Sequence, residues 1–342
     1  MRLNWVDSLK GLGIFLVIMG HLKPPQIVWL WIFSFHIPLF FFISGYVFNS
    51  KKYLDNPKTF VISRFKQLII PYFYYSILTL IIVLISNYFY YNKIKIPLNY
   101  DISELFYAIT YGVGNKANFD YSIINVPLWF LPGLFVTSII FLCIFLIFNK
   151  SLHLFVFNTI FISVLGYVFI QFLPFALPWS FAVALSVIIF YASGYFFRSY
   201  LEDKFFKIAD ILILPLLLIS FCSIGFNPTN INNWYYNANI FSFYLFAFAG
   251  ILSMIYIVKR KNPSRIFSFY GKNTLIVFAI HGPLIGLTKR WITTPLTDFY
   301  DINPDMIVIK ILIFVLVLIF SIPFIYARKY IKKKISKKFK TV

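Results

Sequence analysis

Apolar runs of about twenty residues, separated by short polar stretches, set the rhythm of this chain. A helix rising 1.5 Å per residue needs about 20 apolar residues to cross a hydrocarbon layer of about 30 Å. Ranges that reach or approach that length fall at 5–24, 27–48, 67–90, 127–148, 152–173, 178–197, 208–226, 238–258, 273–289 and 306–327. The range 273–289 is short and polar at both ends. The pattern predicts an all-α fold, a polytopic membrane protein built as a bundle of about ten transmembrane helices. There is no internal repeat, and the longest connection, Tyr91 to Val126, leaves no room for a soluble domain. A single transmembrane domain over 1–327 and a basic cytoplasmic tail over 328–342 are expected.

Two stretches between the runs carry further patterning. Ile102, Leu105, Phe106 and Ile109 recur at helical spacing behind Asp101 and Glu104, which predicts an amphipathic helix lying on the surface or folded over the bundle. In PLWFLPGLF, residues 127–135, two prolines and Gly133 predict irregular backbone at a membrane rim, the kind tolerated where protein or a watery cavity covers it. Trp129 is then a residue of a substrate entrance or, equally, of a simple aromatic belt.

Composition sharpens this reading. Hydrophobic residues make up 60% and charged residues only 12%, against roughly 25% charged in soluble domains. The net charge of +20 would suit nucleic acid, but its placement argues for topology instead. With ten spans and the N-terminus inside, only Lys23, Lys93, Lys95, Lys116, Lys289 and Arg290 fall on external segments, and most of the 31 lysines and arginines face the cytoplasm. Both termini of a multi-pass protein of the cell (inner or plasma) membrane are therefore expected in the cytoplasm. The tail RKYIKKKISKKFK reads as an anchor touching anionic membrane lipids, with no nucleic-acid partner. The first run has no small-residue cleavage site after it and reads as a retained helix. Cys143 and Cys222, each within an apolar run, read as small core residues, and the histidines show no metal-ligand spacing.

Against this apolar background a few ionisable residues stand out. A charge in the hydrocarbon costs roughly 2.5–3.5 kcal/mol, so such a residue is a functional-site hypothesis by default. Lys10 and His21 are eleven positions apart, about three helical turns, and so share one face roughly 16 Å apart. The turn at Lys23, Pro24 and Pro25 makes the first two helices antiparallel neighbours and brings His36 toward His21. Asp7, one turn before Lys10, is its potential structural partner. Arg64 and Lys66, with Lys51, Lys52 and Lys58, form a basic rim suited to a polyphosphate ligand, although positive-inside bias alone also accounts for them. His281, before Gly282 and Pro283, is either part of the site or a buried contact between helices, and His153 reads as interfacial and inert.

Taken together these residues resemble membrane acyltransferase family 3. The pattern Asp7-Ser8-Leu9-Lys10-Gly11 followed by Gly20-His21 matches its basic residue, ten positions, histidine signature. FHIPLFFFISGYVF, RFKQLIIPYF, PLWFLPGLF, SGYFF and GKNTLIVFAIHGP are similar in order and spacing to the fucose 4-O-acetylase-like branch. The resemblance implies a ten-helix bundle that takes an acetyl group from cytosolic acetyl-CoA, as co-substrate and without a metal, to a hydroxyl of a surface polysaccharide or its lipid-linked glycan precursor. It implies that His21 is the essential histidine and Lys10 its basic partner. The Arg-x-x-Arg element of some members is here Arg64-Phe65-Lys66-Gln67, without the second arginine. Nothing in these residues matches the esterase-like domain of longer members, so a second transfer step would need a partner or does not occur.

The chemistry of O-acyl transfer fits that expectation. It needs a base for the hydroxyl proton and donors for the developing oxyanion, and imidazole, with a reference pKa of about 6.5, is the side chain suited to the first task. His21 is expected as general base, His36 as a second catalytic residue that orients it or binds the acceptor, and Lys10, Arg64 and Lys66 as donor-binding residues. Asp7, Trp129 and His281 would support them. A glycan-lipid flippase is the alternative, but it would carry repeat symmetry and paired charges along a pathway, which the sequence lacks.

Overall fold

A computed structural model describes residues 3–91, 101–114, 123–226, 239–260 and 264–338. Arg2, Lys93, Lys95, Lys116, Lys261 and the last residues of the basic tail lie outside the described residues. The described chain is helical, with no strand. Its first helices are α1 (Asn4–His21), α2 (Gln26–Tyr46), α3 (Ser50–Leu54), α4 (Pro57–Arg64), α5 (Ile70–Tyr91), α6 (Ile102–Tyr111), α7 (Phe130–Phe148) and α8 (Leu152–Phe172). There follow α9 (Phe181–Ser186), α10 (Ile188–Phe196), α11 (Glu202–Cys222), α12 (Ile240–Arg260), α13 (Arg265–Lys272), α14 (Thr274–Thr288), α15 (Thr294–Tyr300) and α16 (Ile307–Lys338).

Among the described residues eight helical runs are long and apolar enough to cross a membrane. Two features relate these eight to the ten ranges read from the sequence. One run, Ile188–Gly225, joins the second half of the range 178–197 to nearly all of 208–226. Its halves run in opposite senses: Ser163 Oγ bonds the carbonyl of Ser186, at the end of α9, and Phe155 meets Phe196 edge-on, so α9 and α10 run antiparallel to α8. Along α2, Glu202 meets Tyr46 whereas Trp31 donates to Ser220, so α11 is antiparallel to α2. The reversal falls in the π-helical segment Phe197–Leu201. The other feature is α1, absent from the eight because Asn4, Asp7, Lys10 and His21 dilute its apolar character. It is nonetheless mostly buried, packed on α2, α13 and α14. Asp7 is buried on it and Lys10 and His21 line cavities, while Asn4 at its start is exposed.

Glycine permits close helix crossings. The two Ser-Gly-Tyr motifs, at 44–46 and 193–195, bring α2 and α10 together back to back. A Cβ on Gly45 would lie 1.8 Å from the Tyr191 carbonyl oxygen, and one on Gly194 1.9 Å from that of Phe42. Small residues permit such backbone approach where lipid supplies no hydrophobic drive between helices.

The amphipathic segment forms α6, folded over the bundle. Asp101 and Glu104 make a capping box, and Gly112 ends the helix in the left-handed region at φ 70°. The Ser103 hydroxyl and then the Glu104 amide hold the Asp101 carboxyl below the usual carboxylate range. Tyr72 donates to the Ile109 carbonyl at 2.6 Å and Trp179 to that of Thr110 at 2.9 Å, tying α6 to α5 and to the loop before α9. The irregularity expected at 127–135 is confined to a 3₁₀ turn, Val126–Trp129; Pro132 sits in the first turn of α7, where no intrahelical bond is lost. Cys143 and Cys222 are exposed on the outside of the bundle, contrary to the core placement expected of them. The apolar runs around them exist to face lipid, so an apolar neighbourhood in sequence did not mean burial. His153 is exposed at the start of α8.

Candidate active site

Three histidines converge at the end of the bundle opposite Lys10. His21 closes α1; the chain turns through Lys23, whose φ is 50°, and Pro25 opens α2. Gly13 packs on Phe40 and Gly20 on Phe33, so α1 and α2 are antiparallel, as the proline turn dictates. That arrangement sets His36 beside the end of α1. His281 arrives from α14, and its ring centroid lies 5.1 Å from that of His21. His281, rather than His36, is the histidine in ring contact with His21.

Backbone hydrogen bonds fix the tautomers. His36 Nδ1 is 2.8 Å from the Ile32 carbonyl oxygen and His281 Nδ1 is 2.6 Å from that of Phe278. A carbonyl only accepts, so in each neutral ring Nδ1 carries the proton and Nε2 presents a lone pair. His281 is fully buried and its Nε2 has no partner in the described structure. Asn125 is similar: its Nδ2 donates to Thr79 at 3.0 Å and to the Ala279 carbonyl at 2.8 Å, while its buried Oδ1 is unpartnered.

Cavities connect these groups. A histidine chamber of about 270 Å³ is lined by His21, His36, Lys23, Trp129 and Phe278 among others. A side chamber of about 360 Å³ shares His21, Val126 and Pro127 with it and adds Asn125, Gly282 and Arg290. His21 keeps accessible surface because it faces both. At the other end of the bundle a basic chamber of about 430 Å³ is lined by Lys10, Lys66, Lys272 and Arg328 together with Ser44 and Gln67. Phe278 is in the wall of both the histidine and the basic chamber. With Phe130 at 5.4 Å from Phe278, and Phe40 at 5.9 Å from Phe130, it forms an aromatic partition between them.

The residues singled out from the sequence therefore divide. His21, His36 and Trp129 line the histidine chamber, and His281 backs His21; Lys10 and Lys66 line the basic chamber. Arg64 is outside it: its Nη2 donates to the Tyr191 hydroxyl at 3.3 Å and its guanidinium lies over Phe60. Asp7 is buried at the α1–α13 crossing, where its carbonyl oxygen lies against Gly271, and it lines neither chamber. Sequence reasoning missed Lys272, Arg328, Asn125 and Arg290. Lys272 and Arg328 had been absorbed into the basic bias of the cytoplasmic face, and Arg328 assigned to a tail that is in fact a continuation of α16. Asn125 carried no charge to mark it. Among the described residues no three His, Cys, Asp or Glu side chains gather as a metal site.

An all-helical membrane bundle with a histidine between chambers reached from opposite ends defines a multi-pass membrane protein with an internal site. The family model for the acyltransferase domain matches residues 3–327, and the chain belongs to membrane acyltransferase family 3. It is thus a membrane acyltransferase, and the resemblance read from the sequence holds at the level of the family. No curated protein matches it, and no solved structure does.

Proposed function

We infer that this acyltransferase moves an acetyl group from acetyl-CoA, bound in the basic chamber from the cytoplasm, to a hydroxyl of a surface polysaccharide or lipid-linked glycan in the chambers around His21. The observation that carries this reading is the position of His21: it faces two chambers large enough for a sugar, and the Phe40, Phe130 and Phe278 partition separates it from a chamber rich in cations. Lys10, Lys66, Lys272 and Arg328 come from different parts of the chain to one cavity, which suits a nucleotide with several phosphates. A pantetheine arm is long and thin enough to pass Phe278 while the charged nucleotide stays behind.

In the proposed reaction His21 removes the proton of the acceptor hydroxyl as the oxygen attacks the thioester carbonyl. The tetrahedral intermediate collapses with loss of the thiolate, which takes the proton back from His21. The products are an acetyl ester and free CoA. His281, with its own Nδ1 committed to Phe278, orients His21 through ring contact, and Trp129 and His36 bound the acceptor's space. The test is to compare acetate on surface glycans by NMR between cells carrying wild type, His21→Ala and a deletion. Wild-type acetylation in a His21→Ala variant that is normally expressed and inserted would overturn the reading.

A further inference from the structure

We propose that the acceptor reaches His21 sideways out of the bilayer, as a glycan carried on a polyisoprenyl diphosphate, and that Arg290 binds the diphosphate. The proposal rests on the acyl-transfer reading only for what happens once the glycan is beside His21.

Continuity of the cavities is the first support. The side chamber shares Ile82, Ser86 and Leu287 with a groove of about 620 Å³ that Ile85, Phe89 and Trp291 complete. Apart from Ser86 and the Trp291 indole N–H, that groove is hydrocarbon and aromatic. Phe89 is 72% exposed and Trp291 46%, so the groove opens on the lipid-facing side of the bundle between α5 and α14. It offers a sugar almost nothing to bond to and offers an isoprenoid chain a continuous apolar wall.

The second support is the charge at the junction. Arg290 lines the side chamber, and its Nη1 donates to Asn87 Oδ1 at 2.7 Å and Ser86 Oγ at 3.0 Å. Its guanidinium lies over the rings of Tyr90 and Tyr91. All these partners are neutral, so the guanidinium is held in place with its charge uncompensated by them. Ser86 and Asn87 are themselves buried, which makes this a built site and not a mobile surface arginine. A planar guanidinium donates bidentately to phosphate oxygens. Trp291, donating to the same Ser86 Oγ at 3.3 Å, is the kind of residue that sits at headgroup depth. Lipid tail, anionic headgroup and glycan thus find, in order, an apolar groove, a fixed cation and a chamber bounded by His21 and the unpartnered Asn125 Oδ1.

The test is a binding titration on the full-length protein in nanodiscs, read by native mass spectrometry. The probes are undecaprenyl diphosphate, undecaprenol, dioleoylphosphatidylglycerol and inorganic diphosphate. Undecaprenyl diphosphate is expected to bind at least about tenfold more tightly than each of the other three, a gap worth one decade in Kd. Arg290→Gln should erase its advantage over undecaprenol, and Leu287→Trp, which fills the groove and leaves the cation, should weaken both long-chain probes. Equal binding of diphosphate and alcohol overturns the proposal, as does equal binding of phosphatidylglycerol, which would make this a phospholipid site, or of inorganic diphosphate, which would make it a free-anion site. If Arg290→Gln does not fold, unchanged long-chain binding by a folded Leu287→Trp overturns it alone. His21→Ala should bind undecaprenyl diphosphate as wild type does. A protein that acetylates glycans without binding the probe sinks lateral entry alone, and one that binds it without transferring acetate sinks the acyl-transfer reading alone.

Discussion

The basic chamber and the histidine chamber lie at opposite ends of one bundle and are built on different principles. The first gathers four cations, Lys10, Lys66, Lys272 and Arg328, from α1, the segment before α5, α13 and α16. The second sets histidines beside a single lysine, Lys23, among aromatic walls, with the tautomers of His36 and His281 fixed by the backbone carbonyls of Ile32 and Phe278. A chamber of the first kind selects by charge and tolerates imprecise placement, because Coulomb attraction falls off slowly with distance. A chamber of the second kind selects by the position of single atoms, because a hydrogen bond is lost within a few tenths of an ångström.

The contrast can be broken or sharpened by mutation. The largest expected effect is at His21: His21→Ala should lower acetyl transfer by about 10²–10⁴-fold, the usual contribution of a general base, without changing donor affinity. Isotope-labelled acetyl transfer into membrane glycans, with donor binding measured separately, reads both quantities. Next comes the scaffold that both chambers share. Gly194→Val drives a side chain into the Phe42 carbonyl, and several kcal/mol of lost stability is expected, with loss of the folded protein on size-exclusion chromatography. Smaller effects belong to the basic chamber. Lys66→Gln, Lys272→Gln and Arg328→Gln should each raise the KM for acetyl-CoA several-fold and leave kcat nearly unchanged, with losses that shrink as salt is raised. Arg64→Gln, whose side chain is committed to Tyr191, should leave that KM as it is; an equal rise would place the donor elsewhere. The smallest effect is local to α6. The Asp101 carboxyl is held low by its folded-state bonds, so its capping contribution is present at neutral pH and lost as pH falls through that lowered value. Amide protection factors in the first turn of α6, corrected for intrinsic exchange, should fall in acid while those around His21 do not.

The same contrast explains what could be read from the sequence. His21 and His36 were visible because a titratable group in an apolar run is expensive, and Pro24 and Pro25 dictated that their helices pack antiparallel. The all-helical bundle was visible for the same reason, in run lengths. The basic chamber was only half visible. A cation at a cytoplasmic helix end satisfies topology whether or not it binds anything, so Arg64 and Lys66 looked equivalent although only Lys66 reaches the cavity. Lys272 and Arg328 were hidden in the same background. Asn125 and Arg290 could not be found from periodicity, since they are joined to the site through contacts with Ala279 and Ser86, far away in the chain. The exposed cysteines teach the converse, that hydrophobicity in a membrane protein marks the surface as much as the interior.

The Phe40, Phe130 and Phe278 partition has a consequence for the cell as well as for the reaction. A protein with watery hollows opening toward both faces of a bilayer is one gap away from being an ion leak, and a proton-motive gradient would drain through it. A plug of rings, one of them on the same helical turn as His281, insulates the two compartments, and under the proposed reaction it must yield only to a slender thioester arm. Enlarging the opening to speed transfer would therefore carry a cost in membrane energisation, which sets a physical ceiling on how open such an enzyme can be.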